Sequence, residues 1–117
     1  MEKTSGTILE NMTDKYILDA DGYPVPEPDL LTWAKWFETS NRQLAKDELP
    51  NGAKVSTVFL GLDHSFFGGR PQLWETMVFG GPQDGYQERY ASREEALAGH
   101  ARAVLLAQMP KPAEMLT

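Results

Sequence analysis

Turn signals cut the middle of this chain into short pieces. Asp21-Gly22, Pro50-Asn51-Gly52, Gly68-Gly69-Arg70-Pro71, Gly80-Gly81-Pro82 and Asp84-Gly85 fall between apolar and branched runs. Glycine supplies the positive φ that tight turns need, and proline removes a ladder donor, so neither a long helix nor a long strand crosses these points. The two stretches with helical spacing, 29–41 and 92–109, lie outside the breaks. The punctuation therefore predicts an α+β chain of short strands and two helices.

Local signals sharpen this. Asp29 after Pro28 is a good N-cap, and Leu30, Trp33, Ala34 and Phe37 share one helical face, with Leu31 and Trp36 widening it and Ser40-Asn41 a stop. Ser92 with Glu95 three residues later forms a capping box, and Pro110 and Pro112 end the second helix. In that helix Leu97, Ala101, Val104 and Leu105 are expected to face the core, with His100 among them. Pro50-Asn51-Gly52 reads as a primed hairpin turn with positive φ at both central residues. Residues 42–49 read as an edge strand, with a continuation of the first helix to Leu44 or Ala45 as the rival. Val55, Thr57 and Phe59 share one side of the next strand and Val58, Leu60 and Leu62 the other, as in a central strand covered on both faces. Residues 73–79 form a third strand.

The expected architecture is a small three-stranded antiparallel meander packed with two helices on one face, plus an N-terminal arm or hairpin over 16–28. Asp21-Gly22 turns that arm, and Pro24, Pro26 and Pro28 keep it from being a regular central strand. Residues 1–15 are expected to be a flexible tail, 16–109 a single α+β domain and 110–117 a C-terminal tail.

Composition excludes several classes of function. The 117 residues contain no cysteine, so disulfides, cysteine–zinc sites, thiol nucleophiles and iron–sulfur clusters are ruled out. A net charge of −6 argues against direct nucleic-acid binding, which uses a basic surface to displace counterions. The longest apolar runs, 58–62 and 103–107, are too short to span a bilayer, and no leader pattern begins the chain. A cytoplasmic protein that does not bind membranes is expected. Six of the carboxylates (Glu10, Asp14, Asp19, Asp21, Glu27, Asp29) crowd into residues 10–29 against the single base Lys15. Only Asp29 has a capping reason to be there.

Few residues suggest chemistry. Asp63-His64 follows the first strong strand, Glu75 lies within the next and His100 on the last helix. If they converge, His64, Glu75 and His100 could ligate a metal, or with Asp63 serve a small nucleotide-binding protein or enzyme. No spaced metal motif supports this, the glycine pairs match no phosphate loop, and no serine-hydrolase elbow is present. No cofactor is expected, and an enzyme is the less favoured class. For partner binding, Trp36 off the central helical stripe, Phe66 and Phe67 beside the Gly-Gly loop, and Asp14, Asp19 and Asp21 in the acidic arm are the candidates. The edge strand at 42–49 is open to pairing with a second copy of the chain.

Three blocks carry a resemblance: VSTVFLGLDHSF, WETMVFGGP and RYASREEALAGH, joined by EPDLLTWAKWFE. Over residues 16–104 the chain resembles a widespread family of small proteins encoded in phage and prophage genomes, whereas residues 1–11 lie outside the pattern. The resemblance implies a phage-encoded protein working inside the bacterial host cell. It implies no reaction and no catalytic residues. The expected function is protein binding to a host or phage protein, with inhibition of a bacterial defence system, in the manner of an anti-CRISPR protein, as one concrete form.

Overall fold

The computed structural model of the chain describes residues 13–65 and 68–110. It is an α+β structure built from two compact units, one comprising 13–41 with 61–73 and the other 42–60 with 74–110.

In the first unit, β1 (Tyr16–Leu18) and β2 (Pro24–Pro26) form an antiparallel hairpin about Asp21-Gly22. The Asp19 carboxylate shapes that turn, accepting from the amides of Asp21 at 2.9 Å and Tyr23 at 3.0 Å. On its other side the β1 segment pairs with the chain after the fourth strand: Tyr16 N–H donates to Gly61 O, and Asp63 N–H to Asp14 O, both at 2.9 Å. Lys15, expected in a tail, is part of this pairing through a bridge to Leu62. Helix α1 (Leu30–Thr39) starts at Asp29, whose side chain accepts from Thr32 N–H at 2.8 Å, and ends at Ser40. Trp33 stacks on Phe37 with ring centroids 5.0 Å apart, and its Nε1–H donates to the carbonyls of Tyr16 and Gly61. A side chain at position 61 would press on the Phe37 ring at 3.1 Å, so this close approach needs glycine.

Leu30 and Ala34, expected on the inner face of α1, are exposed, and no residue of this helix is fully buried. The inner face is the narrower Trp33–Phe37 stripe, since two large rings suffice to cover a hairpin this small.

The second unit is a four-stranded antiparallel sheet in the order β3 (Gln43–Glu48), β4 (Lys54–Phe59), β5 (Trp74–Phe79), β6 (Gln87–Tyr90), with α2 (Arg93–Ala107) on one face. The expected meander thus gains a fourth strand. Residues 43–48 are strand, not a continuation of α1. The Pro50-Asn51 turn is not a primed one. Gly52 has positive φ and Asn51 does not, because Pro50 fixes the first central residue at negative φ and the glycine takes the left-handed position after a type I bend. Gly52 N–H donates to Leu49 O at 3.0 Å, and Leu49 N–H to Ala53 O at 2.8 Å.

Register fixes two faces. Val55, Thr57 and Phe59 stand beside Val78, Thr76 and Trp74 and are buried toward α2. Ser56 and Val58, with Met77 and Glu75, point the other way and are half-buried. Within this unit β4 is therefore covered by a helix on one face, not on both as its apolar pattern predicts. Within its unit α2 is the helix on the sheet, whereas α1 belongs to the hairpin unit.

The side of α2 that packs down is Ala96, Gly99, His100, Ala103 and Ala107. Of the expected core residues, Val104 is partly buried against the core, as His100 is buried, but Leu97, Ala101 and Leu105 are exposed. Small residues let the helix axis approach the sheet closely, and at Gly99 there is no room for a side chain. A Cβ there would lie 2.2 Å from the Tyr90 ring. Asn51 caps the far end of α2, its Nδ2 donating to Ala107 O at 2.9 Å.

Candidate functional site

The residues expected to carry chemistry do not form one site. Glu75 lies on the face of the sheet away from α2, where its Oε2 accepts from Arg89 Nε at 3.0 Å and from Gln87 Nε2. His100 lies on the opposite face, beneath α2. The sheet itself separates the two, so they cannot share a ligand. The sequence could not show this because one residue of register decides which face a strand side chain takes. Asp63 and His64 belong to the hairpin unit. The Asp63 carboxylate closes the base of the 64–72 loop, with Oδ1 accepting from Ser65 N–H at 2.8 Å and Gln72 N–H at 2.9 Å. Burial raises its pKa, but these amide bonds outweigh that and hold it below the ordinary carboxylate value. His64 N–H donates to Gln72 O at 3.1 Å. Among the described residues, no group of three or more His, Asp or Glu is placed to hold a metal ion.

His100 is instead the centre of a polar chain through the α2–sheet interface. Its Nε2 meets Asp47 Oδ2 on β3 at 2.7 Å, and its Nδ1 meets Thr57 Oγ1 on β4 at 2.7 Å. Thr57 Oγ1 in turn meets Thr76 Oγ1 on β5 at 2.5 Å. With Nε2–H given to Asp47, Nδ1 accepts from the Thr57 hydroxyl, which accepts from Thr76, and every partner is satisfied. On the β6 side, Glu88 accepts from Tyr86 at 2.8 Å and Tyr90 at 3.4 Å and pairs with Arg102 at 3.5 Å. Burial first, and then the bond to Glu88, push the Tyr86 hydroxyl up to about 12. Tyr90 is raised as well, first by burial.

Carboxylate, imidazole and hydroxyl in sequence are the parts of an activated nucleophile. Here the hydroxyl is closed off. Thr57 is 0% exposed and bonded on both sides, so no substrate reaches it. The arrangement satisfies buried polar groups and ties α2 to the sheet. Sequence reading missed Asp47, Thr57, Thr76, Glu88 and Tyr90 as partners in this network. The available signal was Thr57 in phase with Val55 and Phe59, a hydroxyl on an otherwise apolar face.

The binding candidates fall differently. Phe66 and Phe67 lie outside the described residues. Trp36 is half-buried on α1. Asp14, Asp19 and Asp21 are exposed on the hairpin unit, Asp19 with a turn-forming role that the sequence reading had not given it. Glu27 also has a local role, accepting from Asp29 N–H at 3.1 Å. Immediately after these acids come Leu30 and Leu31, 61% and 79% exposed in the first turn of α1. Among the described residues the hairpin unit carries seven carboxylates against three bases and the sheet unit seven against six, so most of the net charge belongs to the hairpin unit. Among the described residues, no helix is long and apolar enough to cross a membrane. The chain matches no family model, and neither the curated proteins nor the solved structures yield a match to it.

Proposed function

We propose that this protein acts by binding another protein through its hairpin–helix unit. The observation that carries the reading is Leu30-Leu31, two large aliphatic side chains held in water at the start of a helix and preceded by Glu27 and Asp29. An apolar anchor beside carboxylates fits a partner with an apolar recess rimmed by Lys and Arg. The resemblance of the sequence to small phage-encoded proteins supports looking for that partner among host or phage proteins of a bacterial cell. An inhibitor of a bacterial defence system is the concrete form that this reading favours.

Affinity capture from host lysate tests it, with the captured protein then purified and titrated. Leu30→Ser with Leu31→Ser is expected to weaken that complex at least tenfold, the loss of a small hot spot. Neutralising Asp14, Asp19 and Asp21 together to Asn keeps the turn, because Asn makes the same local bonds, and is expected to lower affinity and flatten its salt dependence. A complex unmoved by both sets of changes would sink the proposal.

A further inference from the structure

Asn51-Gly52 is the one Asn-Gly pair in the chain, since Asn11 precedes Met12 and Asn41 precedes Arg42. Such a pair is chemically unstable in water. Glycine has no side chain to hinder its own nitrogen, so the Gly52 amide can attack Asn51 Cγ, giving its proton to solvent. The Cγ–Nδ2 bond breaks, ammonia leaves and a cyclic imide closes. Water then opens the imide on either side and leaves aspartate or isoaspartate at position 51. In this structure the reacting groups are engaged elsewhere. Gly52 N–H donates to Leu49 O at 3.0 Å. Asn51 Nδ2 donates to Ala107 O at 2.9 Å, and Asn51 Oδ1 accepts from Ala53 N–H at 3.0 Å. Gly52 is closed in from the other side as well, because a Cβ at Gly80 would lie 2.9 Å from Gly52 O. The turn that follows Gly80 also holds the chain after α2, with Gln83 Nε2 donating to the carbonyls of Met109 at 3.1 Å and Pro110 at 3.2 Å. The two turns and the end of α2 thus form one junction. Asn51 is nevertheless exposed, so water reaches it once the junction opens.

We propose that Asn51 is a site of spontaneous deamidation gated by the last turn of α2, and that its conversion to a carboxylate releases that turn. Attack requires the Asn51 side chain to leave Ala107 O and the Gly52 N–H to leave Leu49 O. The reaction therefore proceeds from a locally opened state, at a rate scaled by the population of that state. Its product does not fit the junction. The amide that donates to Ala107 O becomes a carboxylate oxygen with nothing to donate, set against a carbonyl at the negative end of a helix. Isoaspartate in addition lengthens the main chain by one carbon within the β3–β4 turn. Either product holds open what the amide had closed. The step needs no reagent but water and is one-way once ammonia is lost, so the modified form accumulates with the time that the α2 end spends undocked.

The full chain, kept warm in mildly alkaline buffer, tests this when the mass of its tryptic peptide 47–54 (DELPNGAK) is followed over time. Conversion is expected to run at least about tenfold slower than in a synthetic peptide of the same eight residues, which has the same chemistry and no junction. Gln83→Ala frees the Met109 and Pro110 carbonyls without touching Asn51, and should speed conversion in the folded chain about three- to tenfold, the worth of a hydrogen bond. The consequence is read separately by hydrogen exchange on Asn51→Asp. The Leu106, Ala107 and Gln108 amides should lose about tenfold or more of their protection, while the Val55 and Val78 amides keep theirs. Conversion as fast in the folded chain as in the peptide, or no acceleration by Gln83→Ala, would overturn the gate. Asn51→Asp leaving the last turn of α2 as protected as before would overturn the release. A loss that extended to Val55 and Val78 would overturn it equally, since the whole unit and not one turn would then have opened.

Discussion

In the sheet unit, one helix buries five residues against four strands and closes a chain of hydrogen bonds from Asp47 through His100 and Thr57 to Thr76. In the hairpin unit, a helix of ten residues buries none of them fully and holds its place through the Trp33–Phe37 stripe and the Trp33 indole. The sheet unit is nearly neutral among its described residues, and the hairpin unit carries most of their negative charge. The contrast separates two tasks. Satisfied polar groups under a close-packed helix make one arrangement of the sheet unit strongly preferred. Exposed leucines and unbalanced carboxylates cost the hairpin unit stability, and the proposed recognition would be the return for that cost.

The largest expected effect tests whether stability resides where the contrast places it. His100→Ala removes a buried ring, deprives Thr57 and Asp47 of a partner and leaves a cavity beneath α2. It is expected to destabilise the protein by about 2–4 kcal/mol in urea unfolding. Leu31→Ala, in the exposed first turn of α1, should cost less than about 0.5 kcal/mol. Equal losses would break the comparison.

A second, somewhat smaller effect probes the closeness of the α2 packing. Gly99→Ala puts a methyl into the Tyr90 ring, and moving that ring disturbs its bond to Glu88. About 1–3 kcal/mol is expected, the usual cost of overpacking. Tyr90→Val should recover part of this loss when combined with Gly99→Ala. A double-mutant cycle showing no coupling would mean that the ring is not what excludes a side chain at position 99.

How much of this was visible beforehand depends on how local each signal is. The Ser92–Glu95 capping box, the Asp29 cap and the hairpin at Asp21-Gly22 all form where the sequence places them, because their partners lie within ten residues along the chain. Strand β6 was missed because Gln87-Glu88-Arg89-Tyr90 has little strand character of its own and owes its conformation to pairing with β5. The expected inner face of α2 holds for His100 and Val104 but not for Leu97, Ala101 and Leu105, because the close approach at Gly99 selects small residues there. The partners of His100 lie 43 and 53 residues away along the chain. Only the sheet register brings them together, and register is a tertiary fact. The site imagined around His64, Glu75 and His100 failed for the same reason.

The smallest effect expected is a pH dependence that reads the two units apart. In the hairpin unit, Asp29 and Asp63 both have pKa values held below the ordinary carboxylate range. For Asp29 the cause is first the Thr32 hydroxyl and then the Thr32 amide; for Asp63 the Ser65 and Gln72 amides outweigh burial. A depressed carboxyl stabilises the fold while it is ionised. Its contribution is fully present above the unfolded-state value and is lost as pH falls through the lower folded-state value. Acid should therefore loosen the α1 cap and the base of the 64–72 loop first. In hydrogen exchange, the Thr32, Ser65 and Gln72 amides should lose protection on going below about pH 4, the ordinary range of an aspartate. Tyr86 and Tyr90 behave in the opposite sense, since a raised phenol contributes below its unfolded-state value and loses that contribution as pH climbs toward the folded-state one. The phenols are already neutral in acid and contribute no loss there, and the buried Val55, Thr57 and Val78 amides should stay protected over the same range. If the sheet amides open together with those three, the units do not respond separately to acid, and the division of labour drawn between them fails.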